Sequence, residues 1–309
     1  MKRAVLFPGQ GSQKVGMGKE LHAVYPEARE VFDRADKVLG YSLSAVCFDG
    51  PEEKLVQTEF TQPAVFAASL AAWAVLQRQN EKFDFAAGHS LGEYSALVAA
   101  AVLSFEDALQ SVAARARFMQ EACVQNPGTM AALIGVTPEE AEGICRQASA
   151  AAGVVVPANF NSPGQVAVSG ECAAVERAVE AAKAAGKKGM LLPVGGAFHS
   201  PLMEPGKKKL ADFLDSITFS PAKIPVAANV TAREETRPEE FRRLLKEQIT
   251  SPVRWEETIL RLALLGVEEF VEAGPGRVLT GLVKRTIKGA KTRNFETPAD
   301  FAARPAAVL

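Results

Sequence analysis

Ser90 stands in a sequence context that favours nucleophilic chemistry. It is the central residue of GHSLG (88–92), which fits the pattern G-x-S-x-G. An apolar segment precedes the pattern and an alanine-rich helical segment follows it, as in enzymes whose serine projects from a strand-turn-helix bend. The start of that helix offers N–H groups to a developing oxyanion. The alternative is an ordinary turn, because such pentapeptides also arise by chance in a chain rich in alanine and glycine.

A serine hydroxyl needs a general base, and the chain has three histidines. His22 lies in a polar amphipathic segment and is expected at the surface. His89 adjoins Ser90 and should point its side chain away from it. The predicted base is therefore His199, in the segment FHSPLM. The alternative for His199 is a buried histidine whose hydrogen bonds are made by the backbone.

Backbone N–H groups that could hold an oxyanion are expected at two positions. Leu91 directly follows the nucleophile, and Gln10 lies in a Gly-Gln-Gly turn after the first apolar segment. The surrounding stretch 8–20 is glycine-rich but does not fit a nucleotide loop, because Lys14 stands where G-x-G-x-x-G requires glycine. The turn is thus predicted to contact a ligand oxygen through its backbone.

Composition excludes several functional classes. Lys plus Arg (35) nearly cancels Asp plus Glu (36), so no overall field attracts nucleic acid or an anionic membrane. The four cysteines form no C-x-x-C pair, which argues against a zinc site or a disulfide framework, and no metal is expected. The longest apolar run, at about 64–76, is shorter than the roughly 20 residues that cross a bilayer. No signal-peptide core is found, and a cytoplasmic location is expected.

The elements that must position these residues alternate between strands and helices. This order predicts an α/β fold with a mostly parallel sheet covered on both faces. Strands are expected at 3–7, directly before the serine turn, at 223–230 and at 267–276. A helix is expected from Pro63 to about Gln79 with Thr61 as its cap, and another at about 105–121.

Residues 126–195 follow a different pattern, β-α-β-β-α-β, which is typical of ferredoxin-like units. The expected strands are 129–136, 154–160, 165–169 and 188–194, with helices at 138–151 and 171–186. We therefore expect a discontinuous large domain, residues 1–125 and 196–309, and a small subdomain of residues 126–195.

With these features in hand, the sequence resembles the malonyl-CoA:acyl carrier protein transacylases of fatty acid synthesis and the related acyltransferase domains of polyketide synthases. The resemblance covers nearly the whole chain. It rests on eight blocks in the family's order: FPGQGSQ (7–13), TEFTQPA (58–64), GHSLGEYSAL (88–97), RARFMQ (115–120), NFNSPGQVAVSG (159–170), FHSPLM (198–203), QITSPVRW (248–255) and GPGRVLTGL (274–282).

The resemblance implies a hydrolase-like large domain, a ferredoxin-like insert and a site in the cleft between them. It gives Ser90 the role of acyl acceptor and His199 that of base. Arg115, which heads its block, would bind the free carboxylate of malonate, while Arg117 is expected at the surface. Gln248 would orient the histidine through its main-chain carbonyl.

Other positions have two interpretations each. Phe198 could close the acyl pocket against a methyl branch or pack in the core. Asn159 and Asn161 could contact substrate or stabilise the insert's turn, and the loop role is expected for Asn161. Ala101 stands where many relatives have glycine, and only a packing effect is expected.

The implied reaction is ping-pong transfer of malonyl from malonyl-CoA to the phosphopantetheine thiol of acyl carrier protein, through a malonyl-serine. Coenzyme A thioester is a substrate, and no permanently bound cofactor is implied. The alternatives are a serine hydrolase or thioesterase using the same Ser-His pair, and a catalytically silent module that binds carrier protein.

Acyl carrier protein is acidic, so a basic surface near the site is expected. The candidates are Lys187–Lys188, Lys207–Lys209 and residues 284–293, although such charge runs are commonly solvated surface. The family resemblance suggests a monomer that meets its carrier protein transiently.

Overall fold

The computed structural model describes residues 1–302, whose strands form two separate sheets. Residues 303–309, assigned to the large domain from the sequence, lie outside the described residues. The strands are β1 (Lys2–Phe7), β2 (Phe85–Gly88), β3 (Thr129–Ile134), β4 (Val155–Ser162), β5 (Gln165–Gly170), β6 (Lys188–Leu191), β7 (Val226–Ala227), β8 (Glu234–Glu235), β9 (Val267–Ala273) and β10 (Lys291–Phe295).

Helices cover both sheets, and a 3₁₀ turn at Pro201–Met203 precedes one of them. They are α1 (Lys19–Val24), α2 (Pro26–Leu39), α3 (Leu43–Asp49), α4 (Glu52–Leu55), α5 (Thr58–Arg78), α6 (Gly92–Ala99), α7 (Phe105–Gln125), α8 (Pro138–Ala151), α9 (Cys172–Ala184), α10 (Glu204–Asp215), α11 (Pro238–Gln248), α12 (Trp255–Leu264), α13 (Val278–Thr286) and α14 (Pro298–Ala302).

The larger sheet is mostly parallel and has the strand order β10-β9-β1-β2-β7-β8. Among its described strands only β7 and β8 pair antiparallel. The central strand β1 is fully buried from Ala4 to Phe7, as expected for a strand covered by helices on both faces. The predicted α/β fold with a mostly parallel sheet is confirmed.

The smaller sheet is antiparallel and has the order β4-β5-β3-β6. With α8 and α9 it forms the β-α-β-β-α-β unit expected from the sequence. Its own apolar core includes Leu133, Val168 and Val175, all fully buried. The limits of this unit at residues 126 and 195 stay a prediction.

Main-chain hydrogen bonds join the small sheet to the segment before α12. The Val253 N–H donates to the Ala158 carbonyl at 2.8 Å, and the Phe160 N–H donates to the Val253 carbonyl at 2.9 Å. Val253, which belongs to the segment before α12, thus lies beside β4 like an additional short strand.

Helix α7 carries a charged residue on its buried face. Ser104 caps the helix by accepting a hydrogen bond from the Asp107 N–H at 3.0 Å. Leu109, Val112 and Met119 recur at helical spacing on the face that packs into the core, and Arg115 belongs to the same face. This placement puts an arginine inside the protein.

Helix α5 begins earlier than expected, at Thr58, so Thr61 is not its cap. The Thr61 hydroxyl instead donates to the carbonyls of Leu55 and Gln57, at 2.5 and 3.0 Å. Pro63 lies in the second turn, where its missing N–H removes a single helical hydrogen bond, and the helix continues through it. Within residues 1–302 neither α5 nor another helix is long and apolar enough to cross a bilayer.

Several predicted strands are shorter in the structure, and those expected at 129–136 and 267–276 end at Ile134 and Ala273. The strand expected at 223–230 is reduced to β7, because the chain turns just after it and the Ala232 N–H donates to the Ala228 carbonyl at 2.9 Å. The strand expected at 188–194 ends at Leu191, where the chain leaves the edge of the small sheet.

Ala101 ends α6 in a conformation that alanine disfavours. Its φ is 60°, and the N–H groups of Ala101 and Val102 donate to the carbonyls of Val98 and Leu97, which is the pattern of a Schellman motif. The expectation of a packing effect alone is therefore wrong, because this position in the motif favours glycine for backbone reasons.

Candidate active site

Ser90 occupies a strained turn between β2 and α6. Its φ is 53°, in the left-handed region that non-glycine residues rarely adopt. A Cβ atom at Gly88 would lie 1.9 Å from the Gly92 carbonyl oxygen, and one at Gly92 would lie 2.2 Å from the Phe7 carbonyl oxygen. Gly88 is therefore needed for the turn to close on itself, and Gly92 for the turn to pack against β1.

The hydroxyl of Ser90 meets the imidazole predicted to be its base. Ser90 Oγ lies 2.7 Å from His199 Nε2. On the opposite side of the ring, Nδ1 lies 2.9 Å from the Gln248 carbonyl oxygen and 3.1 Å from that of Ser251. Carbonyl oxygens only accept, so Nδ1 carries the proton, and Nε2 accepts the hydrogen bond from the serine hydroxyl.

The imidazole is kept neutral by its surroundings. His199 is 3% exposed. Burial lowers its pKa from 6.5 to about 3, and the nearby charge of Arg115 acts in the same direction. Among the described residues no carboxylate hydrogen-bonds to this ring. The imidazole can therefore accept a proton at neutral pH.

Arg115 is the cation of the site. It is 1% exposed, and its Nη2 donates to Ser90 Oγ at 2.9 Å and to Gln248 Oε1 at 3.1 Å. Its Nη1 donates to Gln62 Oε1 at 2.5 Å, whereas its Nε has no partner within residues 1–302. Burial lowers its pKa, but a guanidinium stays protonated in proteins. Arg117, two residues on, is exposed and lies near Glu121.

Besides Gln62, sequence reasoning missed two further residues that support this arrangement. Asn229 accepts from the Ser90 N–H at 2.7 Å and donates to the Gly88 carbonyl at 2.7 Å. Glu93 Oε2 accepts from Gln248 Nε2 at 2.7 Å and from the Asn229 N–H at 3.2 Å. Burial raises the pKa of Glu93 to about 7. The available signal was a glutamate in an otherwise apolar helix start.

The two expected oxyanion donors face the same cavity. Gln10 and Leu91 both line it, and in the described part of the chain neither backbone N–H donates to a carbonyl or a side chain. The loop of Gln10 packs closely on the serine turn, since a Cβ at Gly9 would lie 2.5 Å from the His89 carbonyl oxygen. Gln10 Nε2 also contacts Thr58 Oγ1 at 3.4 Å.

The cavity has a volume of about 210 Å³ and lies between the two sheets. Phe198 and Asn159 line it and are 6% and 7% exposed. The other apolar lining comes from α7, from the insert, from the chain that leaves it and from α13: Met119, Met130, Ala167, Leu192, Val194, Val278, Leu279 and Leu282.

Asn161 does not stabilise its own loop, contrary to expectation. Its Oδ1 lies 2.9 Å from His89 Nε2, so it connects the insert to the residue before the nucleophile. A register irregularity in β4 between Phe160 and Ser162 accompanies this orientation. His22, expected at the surface, is half-buried and its ring centroid lies 5.0 Å from that of Phe48. Within residues 1–302 no cluster of three or more His, Cys, Asp or Glu could hold a metal ion.

Comparison with known proteins identifies relatives over nearly the whole chain. A family model described as an acyl transferase domain matches residues 5–299. The malonyl CoA-acyl carrier protein transacylase of Salmonella typhimurium is 46% identical over 302 residues, which cover 97% of each chain. The protein of the same name from Bacillus subtilis is 45% identical, over 96% of this chain and 94% of its own.

Solved structures match the backbone of this chain as well. An acyl carrier protein S-malonyltransferase from Vibrio cholerae has a TM-score of 0.94 at 44% identity, covering 98% of this chain and 99% of its own. A malonyl-transacylase in complex with a type II PKS acyl-carrier protein has a TM-score of 0.95 at 42% identity, covering 98% of each chain.

Proposed function

This chain belongs to the acyl transferase domain family, and from that premise we propose that it transfers malonyl from malonyl-CoA to the phosphopantetheine thiol of acyl carrier protein. One observation carries the proposal. The Ser90 hydroxyl touches both a neutral imidazole, His199 Nε2 at 2.7 Å, and a buried cation, Arg115 Nη2 at 2.9 Å. A base activates the serine, and the cation selects an acyl group that ends in a carboxylate.

In the first half-reaction Ser90 is acylated. His199 Nε2 takes the hydroxyl proton while Oγ attacks the thioester carbonyl carbon. The negative charge that develops on the carbonyl oxygen is stabilised by the N–H groups of Gln10 and Leu91. The carbon–sulfur bond then breaks, the coenzyme A thiol leaves with the proton from His199, and malonyl remains as a serine ester.

The second half-reaction runs in the reverse sense. His199 takes the proton from the phosphopantetheine thiol, and the sulfur attacks the ester carbonyl of malonyl-Ser90. The ester bond breaks, and Ser90 Oγ regains its proton from the imidazolium. Groups of the chain itself carry every step, so the scheme calls for no resident metal or cofactor.

Arg115 is assigned to the malonyl carboxylate. Its Nη2 donates to Ser90 Oγ, and a carboxylate placed beside the serine would offer a charged acceptor instead. Phe198 and Asn159 are assigned to the acyl pocket because both line the cavity. Gln248 is assigned to histidine orientation, through its carbonyl at 2.9 Å from Nδ1.

Acyl carrier protein is proposed to dock at the basic end of α13. Arg285 donates to Gln165 Oε1 at 2.5 Å, and Gln165 lines the cavity, so this segment borders the entrance. The other candidates are partly neutralised, because Lys187 pairs with Glu140 and Lys209 with Glu121. A cytoplasmic, monomeric protein stays a prediction, as do the domain limits 1–125, 126–195 and 196–309.

The test is intact-protein mass spectrometry after mixing with malonyl-CoA. We expect one malonyl group on the wild-type protein and none on Ser90→Ala, and we expect holo acyl carrier protein to discharge it as malonyl-carrier protein. Release of free malonate at a rate that carrier protein does not change would favour a hydrolase. Absence of any acyl-enzyme would favour a module that only binds carrier protein.

A further inference from the structure

The guanidinium of Arg115 is held by amide oxygens. Nη1 donates to Gln62 Oε1 at 2.5 Å and Nη2 donates to Gln248 Oε1 at 3.1 Å. Within residues 1–302 no carboxylate forms an ion pair with this arginine. The carboxylate that interacts with it electrostatically is Glu93, whose Oε2 hydrogen-bonds to Gln248 and Asn229.

Neutral acceptors have a specific effect on a buried cation. A charge removed from water needs hydrogen bonds and a counter-charge. Amide oxygens supply the hydrogen bonds but leave the net charge in place. Among the described residues Glu93 hydrogen-bonds to Gln248 and Asn229 and not to the guanidinium. A ligand can therefore supply the directly bonded counter-charge, and a carboxylate gains more from the site than an uncharged group does.

Gln62 is fixed with its oxygen towards the arginine. It is 1% exposed, and its Nε2 lies 3.5 Å from Met119 Sδ, a weak acceptor. A flipped amide would point its NH₂ group at the guanidinium, donor against donor. Gln62 belongs to the second turn of α5, and Thr58 in the first turn contacts Gln10. One helix start thus supports both the cation and the expected oxyanion loop.

We propose that Gln62 determines acyl specificity, because it positions Arg115 through a neutral oxygen and so reserves the positive charge for the free carboxylate of the acyl group. This inference rests on the proposed function. A glutamate at position 62 has nearly the same shape. It would form a buried ion pair with Arg115 and repel an incoming carboxylate.

The test compares loading of Ser90 from malonyl-CoA and acetyl-CoA in single-turnover experiments read by intact-protein mass. For Gln62→Glu we expect malonyl loading to fall roughly 100-fold and acetyl loading to change by less than about tenfold. Gln57→Glu is the matched control, since Gln57 is exposed at the start of the same helix and adds the same charge in solvent. This control should keep the wild-type ratio of malonyl to acetyl loading.

A second variant keeps the proposal testable if Gln62→Glu fails to fold. Gln62→Met removes the acceptor without adding charge, so the malonyl-to-acetyl ratio should fall by about tenfold, less than for the glutamate. Equal losses with both acyl groups, or an unchanged ratio in the folded variants, would mean that Gln62 has only a structural role.

The wild-type protein separates this inference from the proposed function. If it forms no malonyl-serine, the proposed function fails, and this inference fails with it. If it forms malonyl-serine and Gln62→Glu keeps the wild-type preference, the inference alone is overturned. The expected pattern is a malonyl-selective wild-type protein and a glutamate variant that has lost that selectivity.

Discussion

Arg115 donates a hydrogen bond to Ser90 Oγ, and this contact leads to a prediction for the arginine. Arg115→Ala should depress malonyl loading roughly 100-fold or more, because a carboxylate would then enter a buried site without its cation. Acetyl loading, which uses no carboxylate, should fall far less. Arg117→Ala is the matched control, since Arg117 is exposed on the same helix. Equal losses on both substrates would contradict the assignment.

The neutral state of His199 predicts an unusual pH profile. A base works only when deprotonated, and its lowered pKa, about 3, keeps it deprotonated as the solution is acidified. The kcat/KM of malonyl loading should therefore show no loss centred near 6.5, the ordinary histidine value, between about pH 8 and about pH 5. Stopped-time mass spectrometry across buffers measures this. Glu93 also titrates near neutrality, so Glu93→Gln is the control. An acidic limb near 6.5 that persists in Glu93→Gln would show that burial does not control His199.

The site residues that could be predicted have a local sequence pattern, whereas those that were missed are placed by contacts between distant parts of the chain. Ser90 sits between glycines whose local spacing reveals the turn. Asn229 and Glu93 meet through a hydrogen bond that links positions 136 residues apart, and no local pattern reports such a contact. Asn161 was misassigned for a related reason, since its partner His89 belongs to another part of the fold.

At the scale of elements, the end of α6 predicts a stabilising substitution. Ala101→Gly should raise the free energy of unfolding by about 0.5–1 kcal/mol, because glycine adopts the left-handed conformation without the steric cost that alanine has there. Urea denaturation measures the change. Ala99→Gly, in the helix itself, should destabilise by a similar amount. An Ala101→Gly protein no more stable than wild type would argue against strain at this position.

Element types were largely predictable from apolar periodicity, whereas several boundaries were not. The run that forms β1 is apolar from Ala4 to Phe7, and the run that forms β9 keeps its apolar residues at buried positions between three glutamates. The run at 223–230 is equally apolar, but tertiary hydrogen bonds around Ala228 turn the chain after two strand residues. The start of α5 was set too late because Pro63 was given the first-turn position that proline usually takes.

At the scale of the whole molecule, Val253 joins the segment before α12 to β4 of the small sheet, and its backbone predicts how the insert unfolds. Val253→Pro removes the N–H that donates to the Ala158 carbonyl, so the insert should unfold separately from the large sheet. Calorimetry should then show two transitions in place of one. Val253→Ala keeps the backbone bonds and should retain a single transition, at a lower temperature because Val253 is fully buried. A single transition in the proline variant would mean that side-chain packing alone couples the sheets.

Docking of carrier protein belongs to this scale too. Lys284→Glu reverses an exposed charge beside Arg285, and it should raise the KM for acyl carrier protein several-fold more than the KM for malonyl-CoA. Lys208→Glu, on the exposed side of α10, is the control. Steady-state rates at low and at moderate salt measure the effect, which should shrink as salt rises. Identical changes in both variants would exclude a docking role specific to α13.

The imidazole of His199 donates from Nδ1 to the peptide carbonyls of Gln248 and Ser251. Every amino acid has such a carbonyl in its backbone. Mutational scanning replaces side chains and keeps both carbonyls. It would therefore not reveal that these two acceptors orient His199. A backbone change is needed instead. An ester in place of the amide after residue 248 would make that carbonyl oxygen a weaker hydrogen-bond acceptor. Side-chain substitutions at positions 248 and 251 therefore leave the backbone acceptors of His199 in place.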